Sequence, residues 1–135
     1  MVVQSELLPL FLNKILKLIM ASLRTLETQE KYNQYKDARG PDDPCPLCHG
    51  NVLKSFKYWK ILENDFPYDK IAAADHLLVL LRHADEKELN ENEIEELEQL
   101  KETYINAEYE YIIEGLRKKQ SIPNHFHVHL IISIP

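Results

Sequence analysis

The sequence is poor in cysteine and in net positive charge. Its two cysteines among 135 residues exclude a disulfide-stabilised secreted scaffold, and they favour a reducing, cytoplasmic environment. The formal net charge is −6 at pH 7, which argues against a nucleic-acid-binding protein because phosphate backbones attract clustered Lys and Arg. No internal repeat is visible, and a chain of this length predicts a single core that folds without covalent or metal staples.

The sequence also lacks an uninterrupted hydrophobic run long enough to span a membrane. The longest apolar stretch, residues 7–26, is interrupted by Lys14 and Lys17. Leucines and isoleucines recur in it every three or four residues, which predicts an amphipathic helix over residues 5–36. Its apolar stripe is wider than one small sheet needs. We therefore expect packing against the domain or a second subunit, with binding to a membrane surface as the alternative.

Turn-forming residues divide the chain. The run GPDDP at residues 40–44 ends the predicted helix. This boundary separates an N-terminal helical extension, residues 1–40, from a domain formed by residues 41–135.

The remaining elements are predicted from hydrophobic periodicity. The pattern indicates strands over residues 55–61 and 76–81, a long helix over residues 90–116, and a last strand after a loop. Asn90 followed three residues later by Glu93 is typical of a helix start, because the two side chains can cap each other's backbone. This order predicts an α+β domain with an antiparallel sheet.

The most informative pattern lies near the end of the chain, where residues 124–131 read NHFHVHLI. Side chains of a strand alternate between its two faces, so His125, His127 and His129 share one face and the apolar residues share the other. The outer two imidazoles are about 13 Å apart along the strand, too far for all three to hold one ligand. The three histidines must therefore have different roles.

Three interpretations fit this strand. The histidines can be incidental polar residues on a half-buried edge strand, or they can contribute to a metal site, since neutral imidazole is the commonest metal ligand. In the third interpretation, the central imidazole is a nucleophile whose neighbours set its tautomer and bind a charged substrate.

A second candidate site is the cysteine pair in CPLCHG, residues 45–50. The tight turn brings Cys45 and Cys48 together, as in a zinc knuckle, and Gly50 lets the backbone curl beneath them. A tetrahedral site needs two further ligands, and the candidates are His49, His76, His83 and His125. The alternative is a pair of free thiols in a turn.

Residues 125–131, HFHVHLI, match the signature of the histidine triad (HIT) family of nucleotide hydrolases and transferases at all seven positions. The chain resembles this family over residues 45–134. The resemblance implies a HIT-like antiparallel sheet with a long helix packed on it. It also implies an enzyme that cleaves a phosphoanhydride or phosphoramidate bond of a nucleotide through a nucleotidyl-histidine intermediate, and a homodimer.

The resemblance assigns roles to individual residues. It implies that His127 is the nucleophile and that His129 contacts phosphate and protonates the leaving group. Gln120 and Ser121 match the position of phosphate-binding donors in the family. His76 is expected near the triad as a supporting group, or else as the polar end of a strand.

Residues 59–68, WKILENDFPY, resemble the family segment that supplies a ribose contact and an apolar wall for the base. Asn64 and Asp65 are the candidate ribose ligands, and a simple polar turn is the alternative. In zinc-binding HIT proteins an early cysteine pair joins two histidines, which here implies a structural zinc ion bound by Cys45, Cys48, His83 and His125.

The expected substrate is a nucleotide such as a dinucleoside polyphosphate or a nucleoside phosphoramidate. A hydrolase is favoured because the similar transferase branches end their motif with glutamine, where this chain has His129. The alternatives are a nucleotidyltransferase of the same superfamily, or a nucleotide-binding or zinc-stabilised interaction module with weak catalysis.

Overall fold

The computed structural model describes Leu10, Leu12 and residues 22–135. Two helices and five strands form the main elements of this part of the chain: α1 (Leu26–Ala38), β1 (Val52–Ser55), β2 (Trp59–Glu63), β3 (Ala72–Leu80), α2 (Glu91–Leu100), β4 (Tyr111–Ile113) and β5 (His127–Ser133). A π-helical turn, Lys101–Ile105, and a final α-turn, Asn106–Glu108, continue α2. The predicted α+β class with an antiparallel sheet is confirmed.

The five strands form one sheet in the order β1-β2-β3-β5-β4, and all neighbouring strands are antiparallel. The longest strand, β3, pairs with β5 so that Leu77 lies opposite His129 and Val79 lies opposite His127. Because β4 pairs with the other side of β5, the histidine strand lies inside the sheet. The interpretation of this strand as a sheet edge is therefore wrong.

The sheet packs α2 against one of its faces. Apolar side chains from three neighbouring strands meet the helix there, including Trp59, Leu78 and Leu130, which are almost fully buried. Burying one such aliphatic side chain stabilises the fold by about 1.5–3 kcal/mol. A smaller cluster of Leu47, Leu62 and Val79 lies under the cysteine turn on the opposite face. The helix face is thus the main core, and the opposite face is available for the polar residues of β5.

Several predicted elements differ from the structure. The long helix predicted over residues 90–116 ends at Glu108, and Tyr111–Ile113 forms β4. The short apolar run of β4 does not by itself distinguish a helix from a strand. Pairing with β5 satisfies the backbone polar groups of this segment. The strand predicted over residues 55–61 is instead a hairpin, closed by a hydrogen bond of 2.7 Å from Phe56 N to Trp59 O.

The single helix predicted over residues 5–36 is also wrong, because residues 22–25 are irregular. Thr25 is the N-cap of α1 and accepts a hydrogen bond from the backbone N–H of Thr28. Leu10 and Leu12 are helical and exposed, whereas the rest of the predicted stripe before residue 22 lies outside the described residues. None of the helices in the described ranges is long and apolar enough to cross a membrane.

A buried carboxylate ties the start of α2 to the end of β3. Glu93 accepts hydrogen bonds from the Arg82 guanidinium at 2.9 and 3.2 Å and from Asn90 N at 2.9 Å. Asn90 Oδ1 in turn accepts from Glu93 N, so the predicted capping box is confirmed. The hydrogen bond from Arg82 is the main reason that the pKa of Glu93 lies below its usual value.

We expect Glu93→Gln to lower the free energy of unfolding by about 1–3 kcal/mol at pH 7, because a buried charged hydrogen bond is lost. The depressed pKa means that this contribution is present above the unfolded-state value of about 4.5 and disappears as pH falls through the folded-state value. Urea denaturation of both proteins at pH 7 and at successively lower pH measures the difference. A difference that stayed constant or grew under acid would contradict this assignment.

Candidate metal centre and active-site cavity

Four predicted ligands meet beside the sheet. Cys45 and Cys48 belong to the turn before β1, His83 follows β3, and His125 precedes β5. One ligand atom from each lies within 4.8 Å of all the others. The His125 Nδ1 atom is 3.5 Å from Cys45 Sγ and 3.6 Å from Cys48 Sγ, and His83 Nδ1 is 3.3 Å from Cys48 Sγ. This cluster could bind a metal ion.

The donor set and its spacing fit a tetrahedral ion. Zinc–sulfur bonds of about 2.3 Å and zinc–nitrogen bonds of about 2.0–2.1 Å place adjacent sulfur and nitrogen ligands about 3.6 Å apart. His125 is buried, and its Nε2–H donates to the Leu80 carbonyl at 2.6 Å, so Nδ1 is the nitrogen left for a metal. Burial lowers the pKa of His125, which favours the neutral ring that a metal requires.

The surroundings of Cys48 favour its thiol form in the absence of a cation. Burial and the neighbouring Cys45 raise the pKa of the Cys48 thiol. A bound divalent cation would reverse this effect by stabilising the thiolate. His49 lies outside the cluster although it is adjacent to Cys48, and it lines a neighbouring cavity instead.

That cavity opens beside the histidine strand on the face opposite α2. His127 and His129 line it together with four other predicted site residues: Asn64, Asp65, Gln120 and Ser121. Leu62 and Leu77 from the sheet supply apolar surface. The structure therefore brings six predicted residues to one cavity.

The tautomer of His127 follows from its partner. Its Nδ1 lies 2.9 Å from the carbonyl oxygen of His125, and a carbonyl can only accept a hydrogen bond. Nδ1 must therefore carry the proton, and a neutral ring has its lone pair on Nε2. Burial lowers the pKa of His127, whereas the hydrogen bond to His125 opposes this effect.

His129 has a buried carboxylate as its partner. Its Nδ1 lies 2.9 Å from Oδ1 and 3.1 Å from Oδ2 of Asp75. The Tyr68 ring stacks on the imidazole, with the ring centroids 4.0 Å apart and the planes inclined by 15°. Asp75 is absent from the sequence-based site, although an acid directly before an apolar strand was a signal that could have identified it.

The loop after β2 supports Asp75. Asn64 Nδ2 donates to Asp75 Oδ2 at 3.1 Å, and its Oδ1 accepts from Phe66 N at 3.0 Å. The Tyr68 backbone N–H donates to the same Asp75 oxygen at 2.8 Å. Gln120 Nε2 donates to the Gly115 carbonyl at 2.8 Å, which holds that side chain along the cavity wall.

The structure does not bring His76 to the cavity. Leu77 lines the cavity and Asp75 bonds to His129 on the same face of the sheet, so strand alternation directs His76 to the α2 side. There its Nδ1 shares a hydrogen bond of 2.7 Å with the Tyr109 hydroxyl. The position expected for His76 beside the triad is thus wrong.

Helix α1 forms a further wall of the cavity, which the sequence patterns did not reveal. Tyr32 and Tyr35 line the cavity and pack their rings against Phe66, at centroid distances of 4.9 and 5.1 Å. Arg24 lies between two rings, 4.4 Å from the Tyr32 centroid and 4.8 Å from that of Tyr68. Its Nε donates to the Phe66 carbonyl at 2.7 Å. The segment before the cysteine turn is therefore part of this site.

No protein-family model matches the chain, and no curated protein sequence matches it significantly. The geometry of the cavity and the residues of the histidine strand are consequently the features of this chain that bear on its function.

Proposed function

We propose that this chain is a HIT-like nucleotide hydrolase, which cleaves a phosphoanhydride or phosphoramidate bond through a nucleotidyl-histidine intermediate on His127. The hydrogen bond from His127 Nδ1 to the His125 carbonyl carries the proposal. It orients the ring and leaves Nε2 as the nucleophilic nitrogen in a cavity lined by polar side chains.

The cavity offers a surface for each part of a nucleotide. His129 stands two residues from the nucleophile, and Gln120 and Ser121 lie on the wall as candidate phosphate contacts. Asn64 and Asp65 are the candidate ribose contacts. Tyr32, Tyr35, Phe66 and Leu62 supply the apolar and aromatic surface on which a base can stack.

We assign the four-residue cluster to a structural zinc ion. Two thiolates and two imidazoles are a set that zinc prefers, and four protein ligands leave no open position for a reacting water. In this assignment His125 serves the metal through Nδ1 while its carbonyl oxygen orients His127. The first histidine of the triad thereby links the metal centre to the nucleophile. A homodimer stays a prediction of the family resemblance.

The intermediate provides the direct test of the proposed function. We expect the zinc-loaded protein to release AMP from adenosine 5′-phosphoramidate or from a diadenosine polyphosphate. Rapid acid-free quenching with labelled substrate should trap one labelled nucleotide on the protein, through a bond stable in alkali and labile in acid, as for a phosphorus–nitrogen bond. Peptide mapping should place it on His127.

Binding of nucleotide without AMP release across this panel would contradict the hydrolase and favour the nucleotide-binding module. AMP release that depended on an added acceptor would identify a transferase instead.

A further inference from the structure

We propose that Asp75 is the positioning residue of an acid–base dyad with His129, an inference that rests on the proposed function of the cavity. The two side chains are almost completely buried, with 0% of the Asp75 side chain and 7% of the His129 side chain exposed. Their contact joins β3 to β5 across one strand pair, with Nδ1 of His129 2.9 Å from Asp75 Oδ1. Sequence patterns alone assigned no role to Asp75.

The carboxylate determines which nitrogen of His129 faces the substrate. Asp75 Oδ2 already accepts hydrogen bonds from Asn64 Nδ2 and from the Tyr68 backbone N–H. An ionised carboxylate has no donor, so the contact with His129 requires a proton on Nδ1. Nε2 is then the nitrogen available to the cavity, and it can accept a proton or, in the imidazolium form, donate one.

Stacking contacts restrain the plane of the His129 ring, in addition to the hydrogen bond that determines its tautomer. Tyr68 stacks on the imidazole at 4.0 Å, and the Arg24 guanidinium lies on the Tyr68 ring at 4.8 Å. Tyr32 of α1 lies against the guanidinium at 4.4 Å and completes the stack. Through Arg24 and Tyr32 the N-terminal segment thus supports the orientation of a residue that lies 105 and 97 positions later in the chain.

Anchoring the loop after β2 accounts for only part of the contacts that the Asp75 carboxylate makes. Anchoring the loop after β2 needs the hydrogen bonds from Asn64 and Tyr68, which both reach Oδ2. Oδ1 is directed at His129 and serves no loop atom in the described structure. A buried carboxylate is costly unless it is paired, and a ring that carries positive charge during the reaction is the partner that best offsets this cost.

The proposed cleavage of a phosphoramidate has two steps. The His127 Nε2 lone pair attacks phosphorus and forms a nitrogen–phosphorus bond, while the bond to the leaving amine breaks and its electron pair moves to the amine. The His129 imidazolium gives its Nε2 proton to that amine. In the second step neutral His129 takes a proton from water as the water oxygen bonds to phosphorus, and the bond to His127 breaks to release the nucleotide. Asp75 stabilises the imidazolium at the start and end of this cycle.

The experiment compares two leaving groups in a single turnover. Adenosine 5′-phosphoramidate must expel an amine that needs a proton, whereas the p-nitrophenyl ester of AMP expels p-nitrophenolate, which needs none. In Asp75→Asn, the amide oxygen can serve the two loop donors, which turns the NH₂ group towards His129 and forces its proton onto Nε2. We expect the phosphoramidate rate to fall by about 100-fold or more, the ester burst to change by less than about fivefold, and KM to stay nearly unchanged.

Asp69→Asn is the matched control. Asp69 anchors the same loop to α1 through Thr25 and Thr28, and none of its hydrogen bonds in the described part of the chain reaches His129. We expect this variant to change both first-turnover rates by the same factor. Equal losses of both rates in Asp75→Asn would assign Asp75 a structural role and overturn the dyad.

A spectroscopic measurement on the wild-type protein tests the dyad without requiring that Asp75→Asn folds. Nitrogen-15 chemical shifts of the His129 ring, recorded for the zinc-loaded protein at a pH where the ring is neutral, should show the Nδ1–H tautomer. The Nε2–H tautomer would overturn the dyad even if both substrates are cleaved. Failure of the wild-type protein to cleave either substrate would instead contradict the proposed function, while the tautomer still tests the pairing with Asp75.

Discussion

Replacing His127 with alanine is expected to lower AMP release by on the order of 10⁴-fold or more, because the reaction loses the nitrogen that forms the covalent intermediate. The fold should persist, since among the described residues the His127 ring hydrogen-bonds only to the nearby carbonyl of His125. Initial rates with adenosine 5′-phosphoramidate measure the effect, and circular dichroism together with zinc content checks the fold.

His76→Ala is the matched control for this experiment. It removes an imidazole from the adjacent strand, but the ring lies on the α2 side of the sheet, where it contacts Tyr109. We expect the activity of this variant to stay within a few-fold of wild type, with some loss of stability. An active His127→Ala protein would show that another group is the nucleophile.

Cys45→Ser is expected to have the largest effect on stability. The wild-type protein should contain about one zinc ion per chain, and the variant should lose it because a hydroxyl is a poor replacement for a thiolate ligand. A ligand present at about 1,000 times its dissociation constant stabilises the folded state by about 4 kcal/mol, and that contribution disappears with the metal. Elemental analysis and thermal unfolding, each with and without a chelator, measure the two losses.

The same substitution should also reduce catalysis. The His125 carbonyl orients His127, and in the proposed zinc site the metal would hold the His125 ring on one side while the Leu80 carbonyl holds it on the other. Loss of the metal contact should lower activity by about 10–100-fold, which is the usual effect of removing a group that orients the residues of a site. His49→Ala is the control, because it removes a neighbouring histidine outside the cluster and should retain zinc. A native wild-type protein without metal and with two titratable thiols would contradict the assignment.

The candidate metal centre could be predicted from the sequence because the first two residues of the cluster form a local motif. The spacing of Cys45 and Cys48 places both thiols in one turn, whereas the residues alone left four candidate histidines, from which the family resemblance selected His83 and His125. His83 is 35 positions from Cys48, and His125 is 80 positions from Cys45. Only the pairing of β3 with β5 brings the ends of those strands to the same turn.

The errors in the predicted elements have a common cause. Tyr111, Ile112 and Ile113 satisfy a helical period as well as a strand period, so the sequence pattern extended α2 too far. The free side of β5 supplies hydrogen-bond partners for an extended segment, and that choice depends on a strand elsewhere in the sheet. His76 was misplaced for a related reason, since a face can be assigned to a strand residue only when its neighbours' contacts are known.

The sequence by itself determined that His125, His127 and His129 share one face, because the two-residue period of a strand requires it. It also determined the start of α2 through Asn90 and Glu93, whose capping contacts are local. Tertiary structure alone decided that Asp75 pairs with His129, 54 positions away, and that α1 reaches the cavity through Tyr32. Local patterns restrict backbone conformation and side-chain direction, whereas partners distant in sequence are selected by the packing of the whole domain.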